Sequence, residues 1–161
     1  MRLLEPGVVK DMQINRSHKK KDLPTMSGMK IPDPFPVESF RQLKGPMIDL
    51  RTPKEYHQGH WPGATNLPLF NDEERAKIGK TYKKEGQEKA ICLGLKIISP
   101  KLATLIREVR EIKEQKDHEC NQTNPSYLKF YCWRGGMRSA SVAWLANMLE
   151  LKPVLLLGGY K

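Results

Sequence analysis

The segment Tyr131-Cys132-Trp133-Arg134-Gly135-Gly136-Met137-Arg138-Ser139 holds the residue types and spacing most suited to chemistry. Cys132 and Arg138 bracket five residues, Trp133, Arg134, Gly135, Gly136 and Met137, in a Cys-x5-Arg loop. Two adjacent glycines let the backbone curl so that several N–H groups turn inward as an anion nest. Arg134 and Arg138 supply full charges, and a helix starting near Ser139 adds the positive end of its dipole. A cysteine there is favoured as the thiolate nucleophile, with an oxyanion seated beside it by Trp133 through Arg138. The competing account is a buried structural cysteine beside a glycine-rich turn, since free cysteine behaves as a small hydrophobe. The coincidence of strand, Gly-Gly, two arginines and a following helix favours the nucleophile.

Such a loop needs a strand to deliver it and a helix to leave by. Tyr127–Tyr131 reads as the strand and 139–149 as an amphipathic to buried helix. Functional sites of open α/β sheets collect at the carboxyl edge of the strands, which is where Cys132 then falls. Further short strands are expected at 47–50, 64–67 and 154–157, the last stopped by Gly158-Gly159, and a proline-rich edge segment at 31–35. Helices are expected at 37–43, at 71–85 with Asn71 or Asp72 as cap, and from Ser99-Pro100 onward. In that last helix Leu102, Leu105, Ile106, Val109 and Ile112 recur at helical spacing, and residues 116–125 read as a polar loop. Strands alternating with helices predict an α/β fold with a mostly parallel central sheet flanked by helices on both faces.

The residues 48–68, Ile48-Asp-Leu-Arg51-Thr-Pro-Lys-Glu55-Tyr56-His-Gln-Gly59-His60-Trp-Pro62-Gly63-Ala64-Thr-Asn66-Leu-Pro68, resemble the first half of a rhodanese domain. The resemblance implies a rhodanese-like fold over 31–161. The run from Leu69 through Leu93-Gly94, the cysteine loop and the terminal Gly158-Gly159-Tyr160-Lys161 resemble the tRNA 2-selenouridine synthase family in particular. That resemblance implies sulfur and selenium chemistry on tRNA, with wobble 2-thiouridine converted to 2-selenouridine. The family's substrates are selenophosphate and geranyl diphosphate, with no bound cofactor, and its rhodanese cysteine corresponds to Cys132. Its second, P-loop domain has no counterpart in these 161 residues, which contain no Gly-x-x-x-x-Gly-Lys-Ser/Thr sequence. The expectation is a persulfide or selenosulfide carrier on Cys132 that lacks the C-terminal helix and P-loop domain and is incomplete without a P-loop partner. It either pairs with a separately encoded P-loop domain or is the remnant of a split gene.

Charge and the remaining candidates fit around that centre. Twenty-eight Lys and Arg against 18 Asp and Glu give a net charge of +10, which suits an anionic partner such as tRNA. Residues 1–30 carry +4 of it and read as a basic, disordered leader. Three irregularly spaced cysteines and the lack of any long apolar run point to a cytoplasmic protein with no membrane span and no disulfide scaffold. Arg51, at a strand end, is placed either to hold the loop or substrate, or to pair with Glu55 as a clamp. His57 and His60 have no companion at ligand spacing and read as structural, with no metal. Cys92 and Trp144 are expected in the core. Cys120 falls in the polar loop, where it would resolve a persulfide only if it lay close to Cys132. Trp133 is expected to project from the loop, able to stack on a base.

Two other functions remain open on the sequence. A cysteine phosphatase also uses Cys-x5-Arg, with Asp49 as candidate leaving-group acid. A non-catalytic rhodanese module would only bind tRNA or a protein.

Overall fold

The computed structural model describes residues 30–119 and 126–161. Within them five strands, β1 (Pro34–Phe35), β2 (Met47–Asp49), β3 (Ala64–Asn66), β4 (Leu128–Tyr131) and β5 (Pro153–Leu156), form one sheet in the order β1-β5-β4-β2-β3. Every pairing is parallel. Helices α1 (Val37–Gln42), α2 (Pro53–His57), α3 (Asp72–Glu85), α4 (Gln87–Ile98), α5 (Leu102–Glu119) and α6 (Met137–Met148) carry the chain between them. The leader, apart from Lys30, and Cys120 lie outside the described residues.

Side chains alternate across the sheet, and two cores result. Leu128 and Phe130 of β4, Ile48 of β2 and Leu155 of β5 face one side. They pack there with Ile98 of α4, Leu105 and Val109 of α5, and Val142, Ala143 and Ala146 of α6. Tyr131, Val154 and Leu156 face the other side, against Phe40 of α1, Ala64, Trp61 and Tyr56 of α2. Burial on both faces is what an all-parallel sheet requires, and it explains the short, continuously apolar strands. Lys129 breaks the run. Its Nζ donates to the Leu43 carbonyl at 2.8 Å, and burial pushes its pKa down.

The structure departs from the sequence expectation in five places. Ser99 does not cap α5: a 3-10 turn over Ser99–Lys101 continues from α4, and Ser99 Oγ donates back to the Leu95 carbonyl at 2.6 Å. The polar segment from Lys116 stays helical to Glu119. Buried Lys113 secures that end of the helix by donating to the Ser126 carbonyl at 2.5 Å and to Asp117, which also accepts from Ser126. Cys92 is exposed, because α4 turns Ala90, Gly94 and Ile98 inward and Cys92 falls on the other side. The short α2 was not expected, although Thr52, Pro53 and Glu55 spell a capping box with proline in the first turn. Trp144, expected in the core, is only partly buried on α6.

Entry into β2 depends on Gly45. Its φ is +129°, and a Cβ there would lie 1.9 Å from the Tyr127 carbonyl oxygen. Gly45→Ala is therefore expected to cost about 2 kcal/mol or more, measured as a lowered urea midpoint. An unchanged midpoint would show that β2 and the start of β4 separate without penalty.

Candidate active site

Strand β4 ends at Tyr131, and the next residue, Cys132, crosses the carboxyl rim of the sheet. Five residues later the chain enters α6 at Met137, with Gly136 at the N-cap position and no side chain capping it. Cys132 is 2% exposed. Its Sγ lies 3.2 Å from the Ser139 hydroxyl and 3.9 Å from the Gly136 carbonyl oxygen. Ser139 Oγ in turn reaches the Gly136 carbonyl at 3.2 Å. The protonated thiol thus has a carbonyl acceptor, and the thiolate has a hydroxyl donor. Ser139, buried and one residue past the loop's second arginine, was not singled out in the sequence. Its signal was its place on the first turn of α6, where position 139 comes back over position 132.

The two arginines of the loop behave differently. Arg134 is exposed, as are Gly135, Gly136 and Met137, so this part of the loop faces solvent. Arg138 turns in and meets Glu55 of α2, Nη1 to Oε2 at 2.7 Å and Nη2 to Oε1 at 3.3 Å. Glu55 also accepts from the Thr52 N–H at 2.9 Å as the third residue of the α2 capping box. Burial alone would raise the Glu55 pKa. The Arg138 hydrogen bonds, the Thr52 N–H and the charges of Arg138 and Arg75 outweigh it and hold the carboxyl below its ordinary value.

Arg51 does not pair with Glu55. It is fully buried beneath the loop and grips Asp49, Nε to Oδ1 at 3.0 Å and Nη2 to Oδ2 at 2.6 Å, with the Arg51 N–H on Oδ1 at 2.9 Å. Nη2 also donates to the Gly59 carbonyl at 2.7 Å. Burial disfavours the guanidinium charge, but Asp49 more than restores it and the Arg51 pKa is raised. Three rings surround its Cζ: Tyr160 at 3.8 Å, and Tyr131 and Trp133 each at 5.6 Å. Trp133 is therefore packed back onto Arg51 and Tyr160 instead of projecting to meet a base. Burial, with the charge and hydrogen bond of Asp49, pushes the Tyr131 pKa up.

These pairings weigh against phosphatase chemistry. Asp49 is engaged by Arg51 with no exposed surface, so it is not placed as a leaving-group acid. Arg138 is engaged by Glu55 where a phosphatase would need it on the equatorial oxygens. His60 stacks on Tyr56 with centroids 3.7 Å apart, and no three His, Cys, Asp or Glu among the described residues converge as metal ligands.

A sequence profile for the Rhodanese-like domain matches residues 37–161. The chain belongs to the rhodanese-like domain family. Its five-stranded parallel sheet with a cysteine at the carboxyl rim is the fold and placement that the sequence motifs imply. The domain is 41% identical over 129 residues to a tRNA 2-selenouridine synthase of Bdellovibrio bacteriovorus, covering 80% of this chain and 32% of that protein. It is 43% identical over 118 residues to one from Hahella chejuensis, covering 72% and 28%. The chain therefore spans about a third of the length of the curated relatives it matches. Among solved structures it is similar to the N-terminal domain of a Clostridium difficile 630 protein provisionally named as ATP/GTP-binding. That likeness has a TM-score of 0.70 and 32% identity, with 80% of this chain and 93% of that one covered.

The Glu55–Arg138 pair makes a pH-dependent prediction for this rhodanese-like domain. A carboxyl held below its ordinary pKa of 4.5 stabilises the fold above that pH, and loses the contribution as pH falls through the folded value. Glu55→Gln should cost about 1–2 kcal/mol at neutral pH. The gap to the parent should close as pH drops below 4.5 in urea titrations. A gap that persists undiminished in acid would show that the pair contributes nothing through its charge.

Proposed function

We propose that this domain carries sulfur or selenium on Cys132, as a persulfide or selenosulfide, for the conversion of 2-thiouridine to 2-selenouridine in tRNA. The observation that carries this reading is the position of Cys132 Sγ, sheltered at the sheet's carboxyl rim with the Ser139 hydroxyl 3.2 Å away. A terminal sulfur or selenium on that atom is shielded from bulk water and finds a donor for its negative charge. The names of the similar tRNA 2-selenouridine synthases supply the cargo and the acceptor. Selenophosphate as donor, geranyl diphosphate as a further substrate, and a P-loop partner that completes the conversion belong to the same proposal. Selenophosphate holds selenium at the selenide level, so loading it on Cys132 as a selenosulfide, with phosphate leaving, takes a disulfide as two-electron oxidant, which is released as two thiols.

With thiosulfate as a laboratory donor the step is simple. The Cys132 thiolate attacks the outer sulfur, a Cys–sulfur bond forms, and sulfite leaves with the electron pair of the broken bond. Cyanide then takes the outer sulfur as thiocyanate and restores the thiolate. Weak turnover is expected from the domain alone, and none from Cys132→Ser. Turnover that survives Cys132→Ser would sink the assignment. Hydrolysis of p-nitrophenyl phosphate through Cys132 would revive the phosphatase.

For tRNA, helix α3 offers a surface. Lys77, Lys80, Lys83 and Lys84 are all exposed and fall on its outer side. Lys77 with Lys80, Lys80 with Lys83, and Lys80 with Lys84 are like charges at i,i+3 and i,i+4, an arrangement that costs helix stability until an anion neutralises it. Phosphates of a folded RNA fit that need. Changing the four lysines to glutamine should lower the slope of log affinity against log salt for tRNA by about 3. Thiosulfate turnover should be untouched. An unaltered slope would place the RNA elsewhere.

A further inference from the structure

Of the five residues after β5, Tyr160 and Lys161 are bonded into the cysteine loop. The Tyr160 N–H donates to the Cys132 carbonyl at 2.9 Å, and the Lys161 N–H donates to the Trp133 carbonyl at 3.2 Å. The two strands of backbone run so close that only glycine fits at 159. A Cβ there would sit 2.4 Å from Gly135 N, 2.5 Å from the Cys132 oxygen and 2.8 Å from Arg134 N, and φ is +75°. Tyr160 is the side chain that anchors this tail. Its ring lies over the Arg51 guanidinium at 3.8 Å, against Tyr131 and Trp133 with centroids 6.1 Å away in each case. Arg51 itself cannot shift, being held by Asp49 and the Gly59 carbonyl. Its Nη1 is buried with no hydrogen-bond partner among the described residues, so the aromatic faces are its compensation on that side.

Peptide geometry gives this anchoring a chemical consequence. No described peptide bond is cis. In a trans peptide the carbonyl and the following N–H point in opposite directions. With the carbonyls of Cys132 and Trp133 fastened to the N–H groups of Tyr160 and Lys161, the N–H groups of Trp133 and Arg134 point away from those two donors. No described group accepts from either one. Such donors matter because Arg138 is already engaged by Glu55 and Arg134 faces solvent.

We propose that Tyr160 is a positioning residue. Clamped on Arg51, it fastens the tail to the loop's carbonyls, so that the Trp133 and Arg134 N–H groups seat the anionic end of whatever Cys132 reacts with. This rests on Cys132 being the nucleophile of the proposed function, but not on the identity of its cargo.

The test compares two alkylating agents on the intact chain, with modification of Cys132 read by peptide mass spectrometry. Iodoacetamide is neutral and iodoacetate is an anion, so the ratio of the iodoacetate rate to the iodoacetamide rate reads the anion seat and cancels changes in thiol exposure or ionisation. The ratio in Tyr160→Ala should fall about tenfold, the loss of one or two hydrogen bonds to a charged group. Tyr160→Phe keeps the ring and should keep the ratio. An unchanged ratio in Tyr160→Ala overturns the proposal, and so does an equal fall in Tyr160→Phe. A second measurement needs no variant. Titration of the unaltered protein with sulfate should move the amide resonances of Trp133 and Arg134, and an absence of movement overturns the seat even if Tyr160→Ala fails to fold. Neither experiment uses a sulfur donor. Failure of thiosulfate turnover with the expected ratios would remove the transfer reading and leave the positioning role standing.

Discussion

A buried ion pair organises the carboxyl end of this sheet. Asp49 and Arg51 are both removed from water, a step that costs several kcal/mol for each charge and is offset only by good geometry. The geometry is good: three side-chain hydrogen bonds and one backbone hydrogen bond join the pair, and the Gly59 carbonyl accepts one more from Arg51. The pair lies two residues apart at the end of β2, so it forms a rigid stub on which other parts settle. The turn before β3 is held through Gly59, β4 and the cysteine loop through Tyr131 and Trp133, and the tail after β5 through Tyr160. Loss of one partner would leave a buried charge with no answer and disturb all of these at once.

Above that pair lies a second one, Arg138 with Glu55, and together they change what the loop's charges mean. A basic loop suggests arginines reaching for an anion. Two of the three arginines near Cys132 are instead matched to carboxylates and hold protein to protein. Arg134 is the one left facing solvent with no described partner. In the function proposed above, recognition at the thiol itself passes to neutral groups, the Ser139 hydroxyl and backbone N–H donors. A softly charged site of this kind suits a terminal sulfur or selenium better than a phosphate dianion.

Much of the fold was legible. The apolar runs at 47–50, 127–131 and 154–157 are short because each strand is buried on both faces, and their spacing with helices between them implies parallel pairing. Asn71 capped α3 as its residue type suggested. The errors came where tertiary contacts outweighed local signals. Ser99-Pro100 carries a helix-start signal, yet a 3-10 turn links the two helices there without a break. Lys116 looked like loop, yet Lys113 and Asp117 reach across to Ser126 and keep the helix going. Cys92 sits in an apolar run, yet the helix presents Gly94 to Phe70 and leaves Cys92 outside.

The sequence by itself determined the family and the layered sheet, and it put a cysteine between strand and helix at the sheet's rim, because glycine pairs, strand length and residue order are local properties of the chain. Only the tertiary structure decided the partner of each arginine. Arg51 takes the aspartate two residues before it and not the glutamate four residues after it, since Asp49 and Arg51 leave β2 into the same pocket. Glu55 takes an arginine 83 residues away because α2 folds over the start of α6. Tyr160 meets Cys132 because β5 lies beside β4 and returns the chain to the same rim. Hydrogen bonds and ion pairs reach only a few ångströms, and no spacing in the sequence states which distant groups will come within them.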